Sequence, residues 1–128
     1  MNNNKFKFRT PWYLGDKFAG FQYWEFEHGQ VKLIGDYWEP WVSKQDVLTA
    51  KPDEQCSGLE DLKGKLIYAG DNVRVDAYEE HHHAHYWHNK PQTVVFCSGA
   101  FRLKESYIGL YEFSKRVEII GNVHEQAK

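Results

Sequence analysis

The sequence predicts an all-β fold, a small barrel or sandwich of short antiparallel strands with at most one or two short helices. Aromatic residues make up 16% of the 128-residue chain, and large rings favour strands and bury much area in a small core. Apolar and polar residues alternate with period two in several segments. Turn residues separate these segments at short intervals. The length predicts one domain over residues 1–128.

The first half of the chain predicts three strands. In KFKFR, the two phenylalanines share one face, and the cations at positions 5, 7 and 9 share the other, where we expect solvated charges on an edge strand. Pro11 is expected to end this strand. Residues 18–27 and 31–38 flank a His-Gly pair, and we expect them to form an antiparallel hairpin around it.

The middle of the chain allows one helix, and the second half predicts further strands. Residues 41–50 have helical spacing, and Ser43 is able to cap a short turn there. After residue 57, glycine and Asp-Asn turns bracket β-favouring pieces, and Ser98-Gly99 predicts a hairpin. Strands are predicted at residues 66–68, 73–75, 93–97 and 100–103, and RVEIIGNVHE at residues 116–125 is predicted to be the final strand.

Residues 55–75, QCSGLEDLKGKLIYAGDNVRV, resemble the signature of the YopX family, a (Y/C)-(T/S)-G-L-x-D-x-x-G-x-x-I-Y-x-G-D-x-V pattern. The opening KFKFRTPW and the closing VEIIGNVHE are similar to two further pieces of that family. The resemblance implies an all-β fold with small-barrel character, encoded in phage or prophage genomes, without an established activity. The signature aligns on Gly58, Leu59, Asp61, Gly64, Ile67, Tyr68, Gly70, Asp71 and Val73.

Composition narrows the classes of function. The formal net charge of -2 lacks the basic footprint of a nucleic-acid binder, so nucleic acid is an alternative partner that the charge does not support. No apolar run approaches the roughly 20 residues of a membrane span. The start lacks the apolar stretch of a signal peptide, and the 2 cysteines have no disulfide-framework spacing. We therefore expect a protein of the host cell cytoplasm.

The histidine run HHHAHYWH at residues 81–88 is the candidate metal site. On a strand, His81, His83 and His85 share one face, whereas on a helix His81, His85 and His88 align. Three imidazoles are enough for a zinc, nickel or copper ion. The run supplies no ligand from a distant part of the chain, so we expect adventitious zinc or nickel affinity on a solvated loop rather than a resident cofactor.

A second candidate site is the aromatic segment DYWEPW, in which Tyr37, Trp38 and Trp41 form a candidate recognition surface. The chain has no G-x-S-x-G elbow, no H-E-x-x-H and no phosphate-binding loop. We therefore expect no enzyme, but a binding or interaction module with an unidentified protein partner, and a homo-oligomer through aromatic-rich edges. The alternatives are a single-stranded nucleic-acid-binding β-barrel and a metal-binding protein that uses residues 81–88.

Overall fold

A computed structural model describes residues 6–75, 91–97, 99–104, 109–113 and 115–125. In this part of the chain ten strands form, every pairing among them is antiparallel, and the helical structure is a 3₁₀ turn at Leu110–Phe113. The strands are β1 (Phe6–Leu14), β2 (Lys17–Glu27), β3 (Gln30–Trp38), β4 (Thr49–Ala50), β5 (Glu54–Glu60), β6 (Leu66–Tyr68), β7 (Asp71–Val75), β8 (Pro91–Cys97), β9 (Ala100–Leu103) and β10 (Val117–Asn122). The predicted all-β fold of short antiparallel strands is confirmed.

The chain divides into two compact units, with the boundary between Cys56 and Ser57, inside β5. The strand orders end on open strands instead of closing into a barrel. The single domain over residues 1–128 stays a prediction.

Unit 1 is built on an antiparallel meander in the order β3-β2-β1, and β1 also pairs with β4 and with the start of β5. The predicted hairpin between β2 and β3 is confirmed. His28 and Gly29 have φ of 53° and 77°, and two positive φ values give the turn the twist that a two-residue hairpin loop requires.

Pro11 does not end the first strand, as the sequence predicted, but lies fully buried inside β1. Its carbonyl oxygen accepts a hydrogen bond from the Lys51 amide at 2.9 Å, so its nitrogen faces the same side of β1. On that side the pairing with β5 ends at Arg9 and the pairing with β4 begins at Trp12. No ladder donor is required at the gap, and proline is tolerated there.

The helix allowed at residues 41–50 does not form. Ser43 instead closes one turn, in which its amide donates to Asp46 Oδ2 at 2.8 Å and its hydroxyl accepts from the Gln45 amide at 3.1 Å. Val47 is 84% exposed, so the segment has no apolar face buried against a core. Short helices are marginal without such packing.

The interior of unit 1 lies on one face of the meander, where Phe18 and Phe21 are buried with ring centroids 5.0 Å apart. Arg9 shares this face and is only 3% exposed. Its Nε donates to Glu54 Oε1 at 2.7 Å, and its guanidinium carbon lies 4.1 Å from the centre of the Phe21 ring. The expectation of a solvated edge charge at position 9 is therefore wrong, because β1 is an inner strand whose partner supplies a carboxylate.

Unit 2 contains a four-stranded sheet in the order β10-β7-β8-β9, and β6 pairs with β5. The predicted pairing of residues 93–97 with 100–103 is confirmed, because Cys97 lies opposite Ala100. The core consists of aliphatic side chains from several elements, with Leu59, Phe101 and Ile119 packed against it. Its fully buried members are Ile67, Val73, Val94, Leu103, Leu110 and Val117.

Two aspartates of the signature segment hold the backbone of unit 2. Asp71 is buried and accepts a hydrogen bond from the Tyr68 amide at 2.8 Å, so its side chain holds the turn between β6 and β7. Asp61, 1% exposed, accepts from the amides of Lys63 and Lys65, each at 2.9 Å, and from that of Ile119 at 3.1 Å. Its carboxylate therefore ties the loop after β5 to strand β10.

Ionisation of Asp61 is governed by two opposing effects. Burial raises the pKa of Asp61, but the hydrogen bonds from the Lys65, Ile119 and Lys63 amides, with the charge of Lys65, outweigh it and leave the pKa below its ordinary value. Hydrogen bonds to a carboxylate stabilise its charged form. Asp61 is thus an ionised structural acceptor.

Gln92 is a polar side chain on the inner face of the unit 2 sheet, 3% exposed, where it lies opposite Val73 and two residues before Val94. Among the residues that the structure describes, neither Nε2 nor Oε1 finds a hydrogen-bond partner. A buried carboxamide without partners costs its full desolvation energy.

We expect Gln92→Leu to raise the free energy of unfolding by about 1–3 kcal/mol, because it removes two unpartnered polar atoms while nearly conserving volume. Urea denaturation measures this change. The neighbouring Thr93 is the control, since its hydroxyl donates to Asn72 Oδ1 at 2.7 Å, and Thr93→Val should lower stability by roughly 0.5–1.5 kcal/mol. A loss of stability in both variants would contradict the interpretation of Gln92.

Candidate interaction surface

The predicted metal ligands His81, His83, His85 and His88 lie outside the residues that the structure describes. Within the described ranges, no group of three or more His, Cys, Asp or Glu side chains is arranged to hold a metal ion. Metal binding by the histidine run therefore stays a prediction.

The predicted recognition residues lie at one end of unit 1, but two of them occupy opposite faces of the meander. Tyr37 lies opposite Phe21 and is 46% exposed, whereas Trp38 lies opposite Gly20 on the other face and is half-buried. A Cβ added at Gly20 would lie 2.5 Å from Cε3 of the Trp38 ring. Glycine at position 20 thus lets the indole pack directly on the strand.

Trp41, the third predicted residue, lies in the segment after β3 and is half-buried. The Lys17 ammonium lies 4.2 Å from the centre of its indole ring, a distance typical of a cation–π contact. Lys51 lies 5.1 Å from the ring of Tyr13 in the same unit. Burial and the charge of Glu54 raise the pKa of Tyr13, so this phenol stays neutral at physiological pH.

A larger apolar surface lies on the face of the meander that does not carry Arg9 and Phe21. Cross-strand partners project to the same face, and two successive rows of the ladder are apolar throughout. One row is Phe6, Phe26 and Val31, and the next is Phe8, Trp24 and Leu33. We call these six residues the apolar face.

Ring contacts and exposure show that the apolar face is packed yet open to solvent. Phe8 lies 5.9 Å from Phe6 and is stacked on Trp24 at 6.4 Å, as measured between ring centroids. The exposed fractions are 41% for Phe6, 41% for Phe26, 54% for Val31 and 46% for Leu33. Contacts among the Phe6, Phe8 and Trp24 rings order this apolar surface, and four of its six side chains remain exposed to solvent.

The neighbourhood of the apolar face carries little charge. The next row of the ladder is Thr10, Gln22 and Asp36, and the Thr10 hydroxyl donates to Asp53 Oδ1 at 2.6 Å, so two carboxylates border this face. The row of Lys7, Glu25 and Lys32 projects to the opposite face, because it alternates with the two apolar rows. The centre of the surface is therefore hydrocarbon, with a polar border on one side.

A shallow cavity of about 190 Å³ lies at the hairpin end of β2 and β3. It is lined by polar side chains, and His28 Nε2 lies 3.6 Å from Glu27 Oε2. The lining residues are Glu25, Glu27, His28, Gln30 and Lys32. The lining of this cavity is polar, whereas the apolar face consists of aromatic and aliphatic side chains.

Sequence reasoning missed the apolar face, although its signal is present in the chain. Phe6 and Phe8, Trp24 and Phe26, and Val31 and Leu33 are three pairs at spacing two, and paired strands place such residues on one surface. The same strands bring Pro11, Phe18 and Phe21 to the other face. Each face thus carries large apolar side chains, and the pattern does not say which face is covered.

These observations define a class, an all-β protein with an exposed aromatic sheet face. A family model described as YopX protein matches residues 39–128, which is more than half of the chain, and the chain belongs to the YopX family. The match begins after β3, so the KFKFRTPW piece of the resemblance lies before it. No curated protein matches the chain. Among the described residues, no helix is long and apolar enough to cross a membrane.

Proposed function

We propose that this YopX family member is a phage- or prophage-encoded accessory protein, a non-catalytic interaction module that binds a protein in the host cytoplasm through the apolar face. The observation that carries the proposal is the exposure of Phe6, Phe26, Val31 and Leu33 as one surface. Contiguous apolar patches on a protein surface mark sites of interaction, whereas single exposed apolar residues do not.

The composition of the apolar face favours a protein surface over nucleic acid. Nucleic-acid binding depends on cations that neutralise phosphates, even where aromatic rings stack on bases. None of the six side chains is a cation, and the nearest row on the same face contributes Asp36. A protein partner with its own apolar patch gains from burial of this surface without leaving phosphates unpaired.

The same composition supports a non-catalytic role. The six side chains are two rows of hydrocarbon and indole groups, which supply no nucleophile, no general acid and no general base. Such a surface binds a partner by burying apolar area and by shape complementarity.

The test uses the full chain as immobilised bait in lysate from infected or lysogenic cells, with and without nuclease treatment. Val31→Asp places a charge in the apolar face. Val47→Asp is a matched control, because Val47 is also exposed and in unit 1 but lies outside the face. We expect the wild type and Val47→Asp to retain the same protein, and Val31→Asp to lose at least about 90% of it, since one buried unpaired charge costs more than a factor of ten.

Two outcomes would contradict the proposal. Retention of the same proteins by all three baits would place the binding surface elsewhere. Loss of the captured protein upon nuclease treatment would instead indicate nucleic acid as the ligand, the alternative that the net charge does not support.

A further inference from the structure

We infer that the partner of the apolar face is a second copy of this chain, and that two copies stack their unit 1 sheets face to face as a two-fold dimer. This inference rests on the proposed function, since it names the partner of the same surface. The face that would be covered consists of the rows Phe6-Phe26-Val31 and Phe8-Trp24-Leu33.

The apolar face is self-complementary. In a two-fold interface, a patch packs against the same patch of the second subunit. Each side chain must therefore be compatible with the other residues of its own patch. The six side chains carry no charge, and the nearest carboxylates on this face, those of Asp36 and Asp53, lie at the bordering row that contains Thr10. Two such faces are able to pack as the inner layers of a β-sandwich do, about 10 Å apart.

The exposed area of the apolar face matches what a dimer interface requires. Exposed fractions of 41–54% for four of the side chains, with the half-buried Phe8 and Trp24 rings, correspond to roughly 300–400 Å² of exposed side-chain surface. A standard interface takes about 800 Å² from each partner, of which about 450–520 Å² is apolar. The apolar face alone supplies most of the apolar area that one subunit contributes to such an interface.

Pairing between the β3 edges of two copies is the alternative to stacking of their faces. Among the described strands, β3 is the terminal strand of its sheet and pairs on one side only. A register shift opposite Tyr23 and Trp24 interrupts it next to Ile34, and Lys32 lies on it. Bulges and lysines are the features that discourage edge-to-edge pairing. At this edge, association through β3 is thus disfavoured relative to association through the apolar face.

The experiment is sedimentation velocity with multi-angle light scattering on the full chain from about 1 to about 200 µM, which brackets the micromolar end of the affinities that interfaces of this size reach. We expect a monomer–dimer equilibrium for the wild type and for Val47→Asp. In Val31→Asp, two like charges enter each interface, and the dissociation constant should rise at least about 100-fold. Leu33→Thr keeps strand propensity, guards against loss of folding, and should weaken the dimer by about tenfold.

Each outcome is decisive when circular dichroism shows that the variants are folded. A wild-type chain that stays monomeric across the range overturns the dimer, and a dimer that neither Val31→Asp nor Leu33→Thr weakens overturns the face as its interface. If the chain is monomeric but still captures another protein in a Val31-dependent manner, the proposed function stands and this inference alone fails. If no capture depends on Val31 and the chain is monomeric, both fail.

Discussion

Replacing Asp61 with alanine is expected to lower the free energy of unfolding by about 3–5 kcal/mol. The carboxylate is buried and accepts three backbone hydrogen bonds, from the amides of Lys63, Lys65 and Ile119. Each buried amide that loses its acceptor costs about 1–3 kcal/mol. The expected loss follows from three donors that depend on one side chain, and urea denaturation of the full chain measures it.

Two further variants provide references for the loss of stability in Asp61→Ala. Asp61→Asn keeps one oxygen acceptor but turns a second acceptor into a donor, and we expect an intermediate loss of about 1–3 kcal/mol. Asp16→Ala, at an exposed position in the turn after β1, should change stability by less than about 0.5 kcal/mol. A loss for Asp61→Ala no greater than that for Asp16→Ala would show that the three amides find other partners.

The Asp61 carboxylate also gives the stability of the protein a pH dependence. Hydrogen bonds outweigh burial and hold the pKa of Asp61 in the folded chain below its ordinary value, while the unfolded chain has the usual pKa of about 3.9. The stabilisation is therefore complete above that value and is lost as pH falls through the lower, folded pKa. Between about pH 5 and pH 2, Asp61→Asn should lose less stability than the wild type does.

Much of the fold follows from local patterns in the sequence. The hairpins at His28-Gly29 and at residues 98–99 were predictable, because period-two segments flank residues that accept the turn geometry. The burial of Ile67 and Val73 follows from short β-favouring pieces bracketed by turns. Local chemistry decides such elements, so a single sequence is enough to find them.

The sequence predictions were wrong where a segment distant in the chain determines the local structure. Pro11 continues β1 because β4 and β5 leave a gap in their pairing beside it, and no local signal encodes that gap. Residues 41–50 have helical spacing but no surface to pack against, and Val47 stays exposed. Tertiary context overrides propensity in both cases.

The exposure of the apolar face also could not be predicted from local sequence patterns. Alternation assigns Phe6 and Phe8 to one face and Arg9 to the other, and the usual expectation is that the aromatic face is the buried one. The face that carries Arg9 is the buried one, because Glu54 pairs with the Arg9 guanidinium and the Phe21 ring packs against it. The apolar face is exposed because the interior of unit 1 formed on the side that carries the cation.

Replacing Arg9 tests this inversion, and Arg9→Met is expected to lower the free energy of unfolding by about 3–5 kcal/mol. Arg9 and Glu54 form a buried ion pair with 2.7 Å between Nε and Oε1, and the two side chains are 4% and 14% exposed. Removal of one partner leaves an uncompensated charge in the interior. Methionine preserves most of the apolar contact with the Phe21 ring, so the loss reports mainly the removal of the Arg9–Glu54 ion pair.

A double-mutant cycle separates the charge from the packing. Glu54→Gln alone should be destabilising as well, whereas Arg9→Met combined with Glu54→Gln should recover at least about half of the loss of Arg9→Met, because no buried charge is then left unpaired. Lys7→Met, on the same strand and the same face but only half-buried, is the control and should cost less than about 0.5 kcal/mol. Equal, small effects at positions 7 and 9 would mean that Arg9 is solvated and that the covered face of the meander is the one that carries Phe6 and Phe8.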